Sequence, residues 1–381
     1  MSSGELSRGV ILCVGVAVLF ADARASSQDP TATIVQDDVS CANCTVVLDA
    51  VATLGDASGP GALSGISSVA KLADGRYALT DTYADYEIKV FTREGLFSQV
   101  VGRRGQGPSE FRFARSVYAS GDEVHVIDPL ARRRTIFSRN FQFLRLHGFA
   151  GSMIGDVLPL DQGWFVINAR IFSRDLVSHV LHVFDEGGAI VTSMDESREG
   201  FRFDKPDGPY FRSLARSARG FWSAQQTRYR IDEWNVEGSR LRSIERASSW
   251  FPEHEGSVGP PLPDSPPRPS LLAIREDADG NLWTLIRVAS DQWSEALAPA
   301  PPSAHPEVGQ YVLGDLNRAF DSVIEILDVG EGAVITSVRF DEALFAFVGD
   351  DEVVAPSWVG VNGATGSDFQ LRILRAVFRE R

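Results

Sequence analysis

The sequence is poor in the residues that mark redox, metal-binding and nucleic-acid-binding proteins. It contains three cysteines and six histidines in 381 residues, and its formal net charge is −14 at pH 7. Its only lysines are Lys71, Lys89 and Lys205. Proteins that bind nucleic acids neutralise phosphates with a surplus of positive charge, which this acidic chain lacks. We therefore expect no nucleic-acid partner.

Short catalytic motifs are also missing. The sequence has no G-x-S-x-G elbow, no Walker loop and no dinucleotide-binding fingerprint. The histidines show no metal-ligand spacing, since His179 and His182 would point to opposite faces of one strand. This composition predicts no cofactor and no metal site.

Only one apolar run is long, and it lies at the N-terminus. Residues 9–21 are apolar but too few to span a bilayer, and Ala23-Arg24-Ala25 matches a small-x-small cleavage site. Residues 1–25 are therefore predicted to be a signal peptide, which implies a periplasmic or extracellular protein with no transmembrane span after cleavage. The alternative is a lipoprotein signal with Cys13 as the modified residue, although Leu12 precedes it where a small residue is expected.

Two cysteines, Cys41 and Cys44, remain after cleavage. In an oxidising compartment this C-x-x-C pair favours a local disulfide, because no further zinc ligands lie nearby. Thr45 stands where haem attachment would require histidine, and a redox dithiol remains an alternative. The pair lies within residues 26–44, which are polar and without periodicity in their first part and are predicted to be a flexible leader.

Strand-like runs rich in Val, Ile and Phe alternate with glycine turns along the rest of the chain. One series of turns lies at Asp74-Gly75, Ser120-Gly121, Gln162-Gly163, Arg219-Gly220, Asp279-Gly280 and Gly349-Asp350. A second series lies between them, at Glu94-Gly95, Arg139-Asn140, Gly187-Gly188, Glu237-Gly238 and Glu331-Gly332. Repetition of short strands and turns at about 40 to 70 residues is typical of a radial β architecture. We predict six blades in an all-β domain over residues 45–381.

The last predicted blade has only three strands. Residues 45–63 supply a candidate for the fourth, because they align with the outer strand and exit loop of the first blade. Both segments end in Gly-Pro followed by a large apolar residue: Gly59-Pro60 with Leu63, and Gly107-Pro108 with Phe111. An N-terminal strand that completes the last blade would close the ring and remove its exposed edge.

The repeat resembles the NHL class of propellers and a group of exported bacterial six-bladed propellers. The resemblance rests on the Asp-Gly turn, on a strand that ends in Asp81 or Asp128, on an I-x-V-F or R-T-I-F strand, and on a G-x-G-P-x-x-F exit loop. It is specific in the first two blades and weaker afterwards, where Asn168 replaces the aspartate. The WD and kelch signatures are absent.

Candidate site residues follow from this topology. Residues 251–270 and 294–320 are long insertions on one face of the ring, which we call the long-loop face. The segments that lead into the innermost strands from that face contain Arg112, Arg115, Tyr210 and Arg212. These side chains could hold a carboxylate, phosphate or sulfate; alternatively, the arginines pair with acidic neighbours such as Glu110 and Asp156. Asp81 and Asp128 are interpreted as structural residues that bind loop backbone.

We therefore predict an exported, monomeric propeller that binds a small anionic ligand or a protein partner through the long-loop face, without catalysis. The alternative is a metal-dependent propeller enzyme of the lyase or lactonase kind, which would require calcium or zinc. A structural surface protein is a third possibility, and the fold alone does not decide between them.

Overall fold

The computed structural model describes residues 31–65, 67–81, 86–151, 155–196, 210–254, 263–300, 311–358 and 369–380. The predicted signal peptide and Cys13 lie outside these residues. Within the described part of the chain, no helix has the length and apolar character needed to cross a membrane.

The described residues form six β-sheets arranged as blades, together with one two-stranded hairpin. Two N-terminal strands come first: β1 (Thr33–Val35) and β2 (Cys44–Leu54). Blade one contains β3 (Ser68–Lys71), β4 (Tyr77–Asp81), β5 (Glu87–Phe91) and β6 (Phe97–Val101). Blade two contains β7 (Ser116–Ser120), β8 (Glu123–Asp128), β9 (Arg133–Ser138) and β10 (Phe143–Gly148). Blade three contains β11 (Val157–Pro159), β12 (Phe165–Asn168), β13 (His179–Phe184) and β14 (Ile190–Glu196).

The remaining blades follow the same plan. Blade four contains β15 (Arg212–Ser217), β16 (Gly220–Gln225), β17 (Arg230–Trp234) and β18 (Arg240–Arg246). Blade five contains β19 (Ser270–Glu276), β20 (Leu282–Ala289), β23 (Phe320–Asp328) and β24 (Ala333–Phe340), with the hairpin β21 (Leu297–Pro299) and β22 (Tyr311–Leu313) inserted. Blade six contains β25 (Ala346–Val348), β26 (Glu352–Trp358) and β27 (Phe369–Glu380). In the described residues, 3₁₀ turns lie at Asp161–Gly163 and Trp293–Ala296, and a short α-helix, α1, spans Leu316–Ala319.

The N-terminal strand β2 completes blade six, as the sequence predicted. It pairs antiparallel with β27 from Cys44 opposite Glu380 to Leu54 opposite Leu371, and the sheet order is β2-β27-β26-β25. The outer edge of the last blade is therefore paired within the same chain.

The predicted turns are confirmed by their backbone conformation. Glycines of both turn series have positive φ, a region that L side chains seldom adopt: Gly75, Gly95, Gly121, Gly163, Gly188, Gly220, Gly238, Gly280, Gly332 and Gly349. Gly95 also lies against the closing strand β2, where an added Cβ would be 2.2 Å from the Thr53 carbonyl oxygen. This turn requires glycine for both reasons.

The predicted flexible leader differs from the structure in its described part. Strand β1 pairs parallel with β18, so that Thr33–Val35 forms a fifth strand of blade four. Val39 then bridges to Val334 of blade five, where the Ser40 amide donates to the Val334 carbonyl at 2.7 Å. Val35 is 1% exposed. Burial of this side chain and the backbone hydrogen bonds hold residues 33–40 against the ring.

The apolar core lies between neighbouring blades. Trp222 of blade four packs in one cluster with Leu271 and Ile286 of blade five, and Trp283 of blade five packs with Leu344 and Leu374 of blade six. Tryptophans therefore fill the space between blades at these two interfaces, as the sequence indicated.

A buried polar group joins blades four and five. The Glu325 carboxylate accepts hydrogen bonds from the Tyr229 hydroxyl at 2.7 Å and from Arg246 at 3.2 and 3.3 Å. Both charged residues are less than 10% exposed. The negative charge of blade five at this interface is thus compensated by blade four.

Candidate functional site

A channel runs along the axis of the ring. Its cavity has a volume of about 730 Å³ and is lined by the innermost strand of every blade: β3, β7, β11, β15, β19 and β25. This placement confirms that the first strand of each repeat lies innermost. Binding sites for small molecules commonly occupy about 300 to 1,000 Å³, so the channel is large enough for a ligand.

Asp156 lines the channel on the side of blade three. Its two carboxylate oxygens accept hydrogen bonds from the Val157 amide at 2.7 Å and from the Leu214 amide at 2.8 Å. Because Leu214 belongs to blade four, this carboxylate links two innermost strands. Burial raises the pKa of Asp156 from 3.8 to about 6, against the opposing effect of the two amides.

Two serines link other innermost strands in the same way. The Ser68 hydroxyl donates to the Val117 carbonyl at 3.1 Å and accepts from the Val117 amide at 3.2 Å, which joins β3 to β7. The Ser213 hydroxyl donates to the Leu272 carbonyl at 2.6 Å and joins β15 to β19. These side chains hold the channel wall together, and no sequence pattern had singled them out.

Arg115 lies in the channel wall on the long-loop side of blade two. Its amide donates to the Ile127 carbonyl at 2.9 Å, which fixes the backbone at the start of β7. The side chain is half-buried and contributes to the cavity lining.

Arg212 also lines the channel, but its charge is compensated. Its Nε donates to Asp195 Oδ2 at 2.6 Å, and its Nη1 donates to the Phe211 carbonyl at 3.2 Å. The Arg212 amide donates to Asn168 Oδ1 at 3.0 Å. The alternative that the arginines pair with acidic neighbours is thus correct for Arg212, although its partner is Asp195 rather than Asp156.

Arg112 and Tyr210 do not belong to the channel lining. Arg112 is exposed and donates through Nη1 to the Leu130 carbonyl at 3.3 Å. The Tyr210 ring lies under the guanidinium of Arg170, 4.3 Å from its Cζ. The structure therefore brings together Arg115 and Arg212, but not the full predicted set of four. Ile66, which precedes the innermost strand of blade one, lies outside the described residues.

Asp81 and Asp128 have the structural role that the sequence suggested. The buried Asp81 carboxylate accepts from the Ser64 hydroxyl at 2.8 Å and lies 3.1 Å from Lys89 Nζ. The Asp128 carboxylate accepts from the backbone amides of Arg112 at 2.6 Å and Ala131 at 2.8 Å. Within the described ranges, no three His, Cys, Asp or Glu side chains are grouped so that they could hold a metal ion.

The described part of the blade-five insertion is folded. In its described part, residues 290–300 and 311–319, the hairpin β21–β22 and helix α1 surround a small core. This core consists of Ala296, Ala319, Phe320 and Ala343, with Leu313 and Leu316 packed against it. We call this unit the blade-five lobe. Part of the other predicted insertion, residues 255–262, and residues 301–310 lie outside the described residues.

Cys41 and Cys44 are joined by a disulfide at the start of β2. The Cys41 amide donates to the Ile335 carbonyl of blade five at 3.1 Å. The short covalent loop therefore lies where the chain passes from blade five to blade six.

The opposite mouth of the channel carries charged side chains that are paired. Lys71 Nζ lies 2.7 Å from Glu352, and Arg216 Nη1 lies 2.9 Å from Asp161. Arg275 stacks on the Trp283 ring at 3.8 Å, and burial lowers its pKa to about 10. This mouth therefore has a positive side chain held by an aromatic ring beside two ion pairs.

Comparisons with known proteins agree with this architecture. A family model, DUF5128, described as a six-bladed β-propeller, matches residues 62–199, which correspond to blades one to three. No curated protein gives a significant match.

Solved structures with TM-scores above 0.5 show the same fold over most of the chain. A candidate exported protein from Bacteroides fragilis has a TM-score of 0.53 at 13% identity, and covers 92% of this chain and 100% of its own. A member of the duf4221 family from Bacteroides vulgatus has a TM-score of 0.59 at 11% identity, with 88% and 99% covered. Virginiamycin B lyase from Staphylococcus aureus has a TM-score of 0.44 at 10% identity, with 88% and 100% covered, which says nothing about activity here. The chain is a six-bladed β-propeller that is closed by its own N-terminal strand β2.

Proposed function

We propose that this protein binds a small anionic ligand in the central channel, from the long-loop face, without catalysing its conversion. The observation that carries the proposal is the cavity of about 730 Å³, whose wall is contributed by all six blades. The long-loop side of that wall contains Arg115 and Arg212, against the carboxylate of Asp156.

Asp156 and Arg212 have structural roles in the channel wall. Asp156 accepts two backbone amides, and Arg212 donates to Asp195. We propose that Arg115 contacts the ligand, because it lines the channel on the long-loop side and a guanidinium fork matches the two oxygens of a carboxylate or phosphate group.

Export from the cytoplasm also belongs to this proposal. Two features support it: the apolar run with a small-x-small site at the N-terminus, and the likeness in fold to a candidate exported protein. We infer a periplasmic or extracellular protein that acts as a monomer.

The test is a screen of small organic acids and phosphate esters by thermal shift, followed by calorimetry on any that bind. Arg115→Gln should weaken binding by about 1.5–3 kcal/mol, the range for a hydrogen bond to a charged group. Arg216→Gln is the matched control, because Arg216 lines the opposite mouth. Equal affinity in the wild type and Arg115→Gln would contradict the assignment.

A metal-dependent enzyme is the second candidate, and the metal content of the purified protein separates the two. Calcium or zinc at one equivalent per chain, with turnover of a ligand from the screen, would support the enzyme. A ligand that binds equally well in the presence of a chelator would support binding alone.

A further inference from the structure

A row of three polar residues crosses blade five near the long-loop face. Arg287 of β20 lies directly opposite Ser270 of β19 and opposite Ser322 of β23. Residues opposite each other in an antiparallel pair point to the same face of the sheet, so these three side chains share one face. Trp283 and Leu285 lie on the same face and pack against blade six. The row therefore faces the junction of blades five and six.

Among the described residues of blade five, no carboxylate compensates Arg287. Asp321 and Glu325 point to the other face of the sheet because they alternate with Ser322 along β23. Asp321 is paired with Arg339, at 2.6 Å from its Nη2, and Glu325 is paired with Arg246 of blade four. Across the residues that the structure describes, Arg287 has neither an ion pair nor a hydrogen bond.

Among the described residues, two atoms of this row are buried without a hydrogen-bond partner. The Ser270 hydroxyl oxygen makes no hydrogen bond in the described chain, although the residue is 1% exposed. Arg287 Nε is likewise buried and unpaired among the described residues. The third member is satisfied, since the Ser322 hydroxyl accepts from the Leu344 amide at 2.7 Å. A buried polar group without a partner costs free energy, and here two such atoms belong to residues that face each other across one pair of strands, which points to a shared missing partner.

The surroundings of Arg287 are apolar. Its guanidinium lies over the Phe320 ring at 4.4 Å, and Phe320 belongs to the core of the blade-five lobe. Burial lowers the pKa of Arg287 to about 10. The side chain nevertheless keeps part of its surface exposed. The guanidinium is thus held by an aromatic ring beside the lobe, in a residue that is not fully buried.

We propose that Arg287 and Ser270 form a second binding site, at the junction of blades five and six beside the blade-five lobe, for the oxyanion group of a ligand. The oxyanion is a carboxylate or a phosphate group. The guanidinium would donate two parallel hydrogen bonds, and the Ser270 hydroxyl would donate a third. Neither residue lines the channel, so this site is separate from the one proposed above.

The experiment compares thermal unfolding in sodium acetate and in sodium phosphate with unfolding in sodium chloride at equal ionic strength. For the wild type we expect acetate or phosphate to raise Tm by about 2–5 °C at concentrations well above Kd. Arg287→Met should abolish this rise, and Ser270→Ala should reduce it. Arg339→Met is the matched control, because it removes an arginine of the same blade that already has a carboxylate partner.

The outcome tests whether this site binds an anion, independently of the channel site. A rise in Tm with acetate assigns a carboxylate group, and a rise with phosphate alone assigns a phosphate group. Either result supports the proposal if the rise is lost in Arg287→Met and kept in Arg339→Met. Arg115→Gln should leave the rise unchanged, which separates this site from the proposed function. No rise in the wild type, or the same rise in Arg287→Met, overturns the proposal.

Discussion

Arg212 of blade four donates through Nε to Asp195 of blade three, with 2.6 Å between the two atoms. The side chains of the pair are only 6% and 13% exposed. An arginine selected from the sequence as a ligand-binding residue therefore joins two blades. Its charge is compensated inside the protein, so its first role is structural.

Arg212→Ala is expected to lower the free energy of unfolding by about 3–5 kcal/mol, because it leaves the largely buried Asp195 carboxylate without its partner. Denaturant unfolding of the purified variant measures this loss. Arg216→Ala is the matched control, since its pair with Asp161 is exposed and should contribute at most about 1 kcal/mol. Similar losses of unfolding free energy in both variants would show that the Arg212–Asp195 pair contributes no more to stability than an exposed pair.

Removal of the closing strand should abolish the cooperative fold. A chain that begins at residue 55 lacks β2 and exposes the edge of β27, so we expect aggregation or a broad unfolding transition. A chain that begins at residue 39 loses β1 but keeps β2, and should remain monomeric with a lower Tm. Gel filtration and calorimetry distinguish the two. A monomeric, cooperatively unfolding protein without β2 would argue against closure as the source of stability.

Stability should fall as pH falls from about 6.5 to about 4. Burial lowers the pKa of His125 and of His182 from 6.5 to about 4. Between these values the unfolded chain binds protons that the folded chain does not, so acid favours unfolding by at most about 1.4 kcal/mol per pH unit for each histidine.

Asp156 acts in the opposite direction, since its raised pKa means that the folded state takes up a proton as pH falls from about 6 towards 3.8. Two histidines oppose one aspartate, so the net change of the unfolding free energy with pH should have the sign that the histidines give it. Denaturant unfolding at several pH values measures it. His182→Gln should flatten the slope, and a slope unchanged by that substitution would contradict the role of His182.

Cys41 and Cys44 should resist thiol labelling in the native protein and react only after reduction. The loop that they close has a sequence separation of 3, so the chain-entropy argument gives it little influence on global stability. Replacement of both by serine should change Tm only slightly. Two reactive thiols in native, unreduced material would show that the pair is not oxidised.

Much of the fold could be predicted because the signal is local and repeated. Each glycine turn is specified by two or three residues, and the strands between the turns keep their apolar pattern in every blade. Closure by β2 was predictable because residues 45–63 repeat the exit loop of blade one, including the apolar residues Leu63 and Phe111, both of which are fully buried.

Contacts between blades could not be predicted from the sequence in the same way. The partner of Arg212 lies on another blade, and several acidic residues stand at comparable positions in the sequence. Strand β1 has three residues and no turn signal, so its parallel addition to β18 depends on an edge that only the assembled blade presents. Arg287 showed no pattern at all, because its lack of a partner becomes visible only when both faces of blade five are known.

The pairing of β2 with β27 also sets the order in which the protein can form. Residues 44–54 are made before the strands of blades one to five, and their partner, residues 369–380, is made after them. Blades one to five can form from neighbouring segments during synthesis, whereas the ring cannot close until residues 369–380 have been made. Contacts of such large sequence separation are slow to form, so closure should be the late step of folding, and β2 must stay unpaired until then.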